Sequence, residues 1–429
     1  MRVLMLGWEF PPYITGGLGT ACYGLTKALS HAGTDILFVL PRAVGSEHAS
    51  YVRLLGSDSS LPVASAFARE FPHVEFRAAP SLLANPYECL SPAQSSALVM
   101  GRVAHRDIAR RAEVPAWPPA TADYDGDLLA EVNEYAHTCA GLARHESFDV
   151  IHAHDWMTYP AGLAIAAQSG KPLVAHLHST EFDRSGEHVQ QQVYDIERRG
   201  MHGASAVICV SRMTAAVAAE RYSVTPEKIA VVYNGIDTTS QRKSTSATKC
   251  REKVVLFLGR LTMQKGPEYF LAVAKKVLTV MDNVKFIVAG SGDRFHSTVY
   301  RAAEMGIGSK VLFAGFLRGD DVTRAFGVAD LYVMPSVTEP FGITPLEAIS
   351  HGVPVIISRS SGVSEVLEHA LKVDFWDIEE MANKIVAVLR HPPLASTLRQ
   401  NASAEIRQMT WDKAAGACLR LYHLLLRTG

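Results

Sequence analysis

The sequence predicts an α/β protein of two Rossmann-like domains, each with a parallel sheet. Three observations carry this. Short apolar runs alternate with helix-like stretches in two series, a polar segment separates the series, and the motifs able to carry chemistry fall just after apolar runs. In open α/β sheets ligands bind beyond the carboxyl ends of the strands, so such motifs deserve the most weight.

The first series is Val3–Leu6, Ile36–Leu40, Val150–His154, Leu173–His178, Ala206–Val210 and Ile229–Tyr233. The second is Val254–Leu258, Phe286–Ala289, Val311–Ala314, Leu331–Met334 and Val355–Ser358. Continuous apolar runs of this length, set between helical patterns, read as buried parallel strands in βαβ units. The separator, TTSQRKSTSATKCRE at 238–252, has no hydrophobic period and reads as a linker. The expected domains are therefore 1–237 and 253–405. Residues 56–127 hold Pro62, Pro72, Pro80, Pro86, Pro92, Pro115, Pro118 and Pro119 and read as an irregular insertion of short helices and loops. At the end, 406–429 carries apolar residues at helical spacing behind the cap candidate Thr410, a helix able to cross back to the first domain.

Composition bounds the function. A chain of 429 residues exceeds one ordinary core. With 48% hydrophobic and 20% charged residues it fits a soluble globular protein. A net charge of −1 offers no global field to gather nucleic acid or an anionic membrane. The six cysteines (Cys22, Cys89, Cys139, Cys209, Cys250, Cys418) form no CxxC pair, so neither a zinc nor a redox motif is expected, and a scattered reduced set fits the cytoplasm. The opening MRVLMLGWEF runs straight into a strand, so neither a signal peptide nor a membrane-spanning helix is expected.

Four motifs carry the candidate chemistry. TGGLG, with Gly16, Gly17 and Gly19, follows the first strand and precedes a helical pattern. Glycines let backbone amides approach an anion, and a helix N-terminus adds positive potential, so this reads as a phosphate site or as a plain strand-to-helix turn. It is not GxGxxG, because the sixth position is Cys22. GRLTMQKG follows the run Val254–Leu258 and brings Arg260 and Lys265, a fork and a point charge for phosphate oxygens. SVTEPFGITPLEAISHGVPVI places Glu339 in a loop and Glu347 on the following helix, where two turns of helix would put it on a surface near that loop. A carboxylate can accept from both hydroxyls of a ribose, and the amides at Gly342 and Ile343 can grip sugar or phosphate oxygens. Finally, IHAHDW and AHLHST hold His152, His154, His176 and His178. Each HxH pair shares a strand face, so with Asp155 a metal site is conceivable. The bland alternative is satisfied histidines near strand ends, with His178 the best placed for a cleft.

Taken in this order, TGGLG, HAHDW, GRLTMQKG and EPFGITPLE resemble the retaining glycosyltransferases of families 4 and 5, which include glycogen and starch synthases and sucrose-phosphate synthases. The resemblance covers nearly the whole chain outside 56–127. WEFPPYITGGLGTACYGL is similar to the glycogen synthase side. Ile14, however, stands where bacterial glycogen synthases often carry lysine, and the pattern around Phe341 is closer to family 4. The resemblance implies the GT-B architecture, two Rossmann-like domains facing across a deep cleft, with the nucleotide sugar on the second domain. It implies that Arg260 and Lys265 bind the diphosphate, Glu347 the ribose and Glu339 the donor hexose. Amides at Gly17 would close on the phosphates, Phe316 would flank the base, and His178 would stand beside the donor sugar.

It further implies transfer of a hexose, glucose in the leading reading, from a UDP- or ADP-sugar to a carbohydrate or glycan acceptor with retention at the anomeric carbon. No metal or cofactor is expected, because Arg and Lys do the charge work. The departing phosphate would take the acceptor proton, so no carboxylate pair flanking the bond is required. An α-glucan synthase is the leading expectation. The alternative is a family 4 hexosyltransferase acting on a small sugar, lipid or polysaccharide precursor. A sugar-nucleotide epimerase of the same fold is the alternative from another class.

Overall fold

In the computed structural model, the structure describes residues 1–11, 16–41, 70–79, 126–237 and 252–428. Most of the expected insertion and all but the end of the expected linker lie outside these residues.

Two all-parallel sheets organise the chain. The first contains β1 (Arg2–Leu6), β2 (Asp35–Leu40), β3 (Val74–Ala78), β4 (Val150–His154), β5 (Leu173–Leu177), β6 (Ala206–Cys209) and β7 (Ile229–Val231), in the order β3-β2-β1-β4-β5-β6-β7. The second contains β8 (Lys253–Leu258), β9 (Val284–Ala289), β10 (Val311–Gly315), β11 (Leu331–Met334), β12 (Val355–Ser358) and β13 (Leu371–Val373), in the order β10-β9-β8-β11-β12-β13. Every apolar run of the sequence reading is a strand. Each sheet reverses its winding direction beside its first strand, between β1 and β4 and between β8 and β11. These switch points open a crevice at the strands' carboxyl ends.

Two strands were not legible as apolar runs. β3, VEFRA, is an edge strand with only Phe76 fully buried, so it lacks the continuous apolar signature of a central strand. It also corrects the expectation of short helices and loops alone within 56–127. β13 is a three-residue edge strand at the far side of the second sheet.

The long helix Trp411–Thr428 does not stay with the second sheet. Its Ala414, Ala415, Cys418 and Tyr422 share a core with Val3, Leu25, Phe38 and Val150 of the first. It crosses the helix Gly17–His31 so closely that a Cβ on Gly24 would lie 2.2 Å from Trp411 Cε2. Thr410 bridges to Ile236, so the chain passes between the sheets twice at neighbouring positions.

Candidate active site

The loops leaving the carboxyl ends of both sheets meet around one cleft of about 790 Å³. The first sheet contributes Glu9 after β1, Asp155 after β4, His178 after β5 and the start of the helix Gly17–His31. The second contributes Arg260 and Lys265 after β8, Gly290 after β9, Phe316 after β10 and Glu339 after β11.

Backbone geometry at this end demands glycine. Gly290 has φ 144°, and a Cβ there would lie 1.8 Å from the Gly259 carbonyl oxygen. Gly266 has φ 65°, and its Cβ would lie 2.3 Å from the Pro335 oxygen. Any side chain would push apart the loops carrying the cations and carboxylates.

The motif residues converge as follows. Gly16 and Gly17 line the cleft, and Gly16 faces Arg260: a Cβ on it would lie 3.8 Å from Arg260 Nε. Gly19 does not line the cleft; it is buried one turn into its helix. Lys265 closes a 3-10 turn, Met263–Lys265, and its Nζ donates to Glu339 Oε2. The Ser336 hydroxyl donates to the same oxygen at 3.3 Å. Phe341, Gly342, Ile343 and Glu347 line the cleft beside them. Two helices open here, Gly17–His31 and Ile343–Ser350, and neither has a side-chain hydrogen bond at its cap. Burial pushes the Glu347 carboxyl up to about 7. Phe316 is 45% exposed, and the Arg318 guanidinium lies 5.0 Å from its ring centroid, a surface on which a planar base could stack.

The four histidines form one stack inside the first domain. Ring centroids of His152 and His154 are 4.4 Å apart, and those of His176 and His178 are 4.1 Å apart. His152 Nε2 meets His176 Nδ1 at 3.0 Å, and His154 Nδ1 meets His178 Nε2 at 2.9 Å. His152 Nδ1 also bonds the Tyr422 hydroxyl of the C-terminal helix. Burial holds all four neutral, pushing His152 and His178 down to about 3 and His154 and His176 well below the usual range. Among the described residues, His152, His154 and His176 form one group whose ligand atoms lie within 4.8 Å of one another, and Cys22, His154 and His178 another. Either could hold a soft cation. The rings bond one another in two pairs, His154 Nε2 and His176 Nε2 are buried without a hydrogen-bond partner, and of the four only His178 reaches the cleft.

Asp155 is the residue that sequence reasoning undervalued, having weighed it only as a metal ligand. It is 3% exposed and takes φ 64°, a strained conformation for a non-glycine residue. Its Oδ1 accepts the amides of His178 at 3.3 Å and Ser179 at 3.4 Å, fixing the loop that presents His178. Burial pushes its carboxyl up to about 6. Glu9, also buried at the cleft wall, was missed too. The available signal was its position just past β1, where WEF follows an apolar strand.

The comparisons with known proteins bear on the family and the fold. Residues 239–405 match the family "Glycosyl transferases group 1", and residues 95–240 match "Glycosyltransferase Family 4". An uncharacterised glycosyltransferase of Methanocaldococcus jannaschii is 26% identical over 446 residues, covering 99% of each chain. Glycogen synthase of Mycobacterium tuberculosis is 24% identical over 433 residues, covering 98% of this chain and 94% of its own. Among solved structures, sucrose-phosphate synthase of Thermosynechococcus elongatus superposes with a TM-score of 0.72 at 19% identity, over 100% of both chains. An Anabaena protein solved with UDP-glucose superposes with a TM-score of 0.67 at 19% identity, over 98% of this chain and 99% of its own. Nothing here supports the epimerase alternative. With family matches of one kind on both halves and the architecture of these neighbours, the chain is a glycosyltransferase of the group 1 and family 4 type, with the GT-B fold.

Proposed function

We propose that this enzyme transfers a hexose, glucose in the leading reading, from a nucleoside-diphosphate sugar to a carbohydrate hydroxyl with retention at the anomeric carbon. The observation that carries the reading is the convergence of Arg260, Lys265 and two uncapped helix starts on one wall-to-wall cleft that also holds Glu339 and Glu347.

The residues divide the work. Cations and helix amides stabilise the charge that grows on the diphosphate as the glycosidic bond breaks, which is worth most in a site shielded from water. Lys265 and Glu339, already paired, hold a cation for phosphate beside an acceptor for sugar hydroxyls. Glu347 accepts from the ribose hydroxyls, and Phe316 flanks the base. Burial pushes His178 down to about 3, which makes its ring a weak base; it faces the sugar as a dipole while the departing phosphate takes the acceptor proton. This division needs no metal ion or cofactor.

The leading acceptor is an α-glucan; a small sugar, lipid or polysaccharide precursor is the alternative. The reading also puts the reaction in the cytoplasm; among the described residues no helix is long and apolar enough to cross a membrane. The test is a screen of UDP- and ADP-sugars against glucans and small acceptors, with product anomers assigned by NMR. A product of inverted configuration would refute retention, and absence of transfer from any nucleotide sugar would refute the donor assignment.

A further inference from the structure

Asp183 lies in the short helix Glu181–Ser185, just after the loop that presents His178. It is 5% exposed, and its two carboxylate oxygens do different things. Oδ2 accepts both the Thr180 amide and the Thr180 hydroxyl at 2.8 Å, while the Asp183 amide donates back to Thr180 Oγ1 at 3.2 Å. This reciprocal capping box fixes Thr180, two residues beyond His178. Oδ1 faces the second domain and accepts the Thr338 hydroxyl at 2.7 Å. Thr338 directly precedes Glu339 in the second domain.

The surroundings make this a rigid link. Arg184 pairs with Glu181 at 3.1 Å and with the buried Glu197, anchoring the short helix to the first domain. On the other side, the Val337 amide donates to the Gln264 carbonyl at 2.9 Å, and the Glu339 amide to that of Ser360 at 2.9 Å. Gln264 belongs to the turn that carries Lys265, and that turn packs against the Asp183 helix. One carboxylate thus joins the His178 loop to the loop of Glu339 and, through it, to Lys265.

We infer that Asp183 is a positioning residue: its hydrogen bond to Thr338 sets the register of the donor-holding loop against His178. The inference rests on the donor assignment made above. Such a bond touches neither substrate, so its loss misplaces reacting groups without removing a binding contact. Positional errors of this kind act on turnover more than on affinity.

Thr338→Val removes the hydroxyl, keeps the shape and leaves the Asp183 capping box intact. Turnover should fall about tenfold, the scale of one hydrogen bond to a charged group, while affinity for the nucleoside diphosphate stays within about twofold. Thr338→Ser should restore most of the rate. In a His178→Ala background the Thr338→Val effect should shrink towards nothing, since the partner it positions is gone. Amide hydrogen exchange across 178–184 should rise in Thr338→Val and not in Thr338→Ser, a readout that needs no donor. If the wild type transfers from no nucleotide sugar, the donor assignment fails, and the exchange measurement still judges the link. Wild-type turnover in Thr338→Val, full additivity with His178→Ala, or unchanged exchange would each overturn the inference.

Discussion

Glu347 provides a pH-dependent test of the nucleotide site. Its carboxyl is pushed from the ordinary 4.5 up to about 7 by burial. To accept from two ribose hydroxyls it must be ionised, so nucleotide binding should expel its proton. Affinity should then be full above pH 7 and weaken as pH falls through 7, because a growing fraction of the free protein must first lose that proton. At pH 5.5 about 3% would be ionised, so Kd should rise about 30-fold between pH 8 and pH 5.5, close to tenfold per unit at the acid end. The assay is calorimetric titration with uridine diphosphate, or adenosine diphosphate if that base is preferred, in buffers of different ionisation heat. The nucleotide's own terminal phosphate titrates near pH 6, so the informative quantity is the ratio of wild type to Glu347→Gln. That variant keeps the ligand's titration and loses the side chain's. Parallel pH profiles, or no difference in protons released, would refute the reasoning.

Three further outcomes are expected. Lys265→Ala should lower turnover by about two orders of magnitude or more, since its charge matters most as the diphosphate leaves; unchanged turnover in single-turnover kinetics would remove Lys265 from the site. His178→Ala should depress turnover strongly while nucleotide affinity stays near wild type, and chelator should leave wild-type activity intact; activity lost to chelator would favour a metal held by the histidine stack. The stack should also make the fold acid-labile. Its four rings are neutral when folded, His152 and His178 pushed down to about 3 and His154 and His176 well below the 6.5 of an exposed histidine, so the stability they contribute is complete above 6.5 and is lost as pH falls towards 3. The raised carboxyls of Asp155 and Glu347 act in the opposite sense only down to their ordinary range near 4. Circular dichroism should therefore show unfolding between about pH 4 and pH 3 that consumes several protons, and a one-proton slope would contradict it.

What the sequence made legible was whatever a local signal could encode. Central strands are apolar on both faces, so β4 and β8 announce themselves, whereas VEFRA at the edge does not. Arg260, Lys265 and Glu339 could be picked because each sits just past a strand, and Glu347 because it follows Glu339 on the next helix. Asp155 could not be weighed correctly, because its role depends on φ and on two amides from the neighbouring strand's loop. The histidine stack was visible as two HxH pairs. Only the pairing of β4 with β5, His154 opposite His176, shows that the rings bond one another. Gly19 went the other way: it belongs to the motif by spacing, but the helix has already turned it away from the cleft.

The helix Trp411–Thr428 has a consequence for how the molecule is made. Its Tyr422 and Cys418 complete the core under β1 and β4, the first strands to be synthesised in the central part of that sheet. A ribosome must therefore deliver the entire second domain before the first can finish burying its apolar face. During that interval, the surface destined for residues 411–428 stands open to whatever else can cover it. The second domain waits for less: its strands are contiguous from Lys253 to Val373, and the buried residues that complete its cores end at Ile406, just before the closing helix. The last domain to emerge is thus free to fold at once, and the first waits for the closing helix.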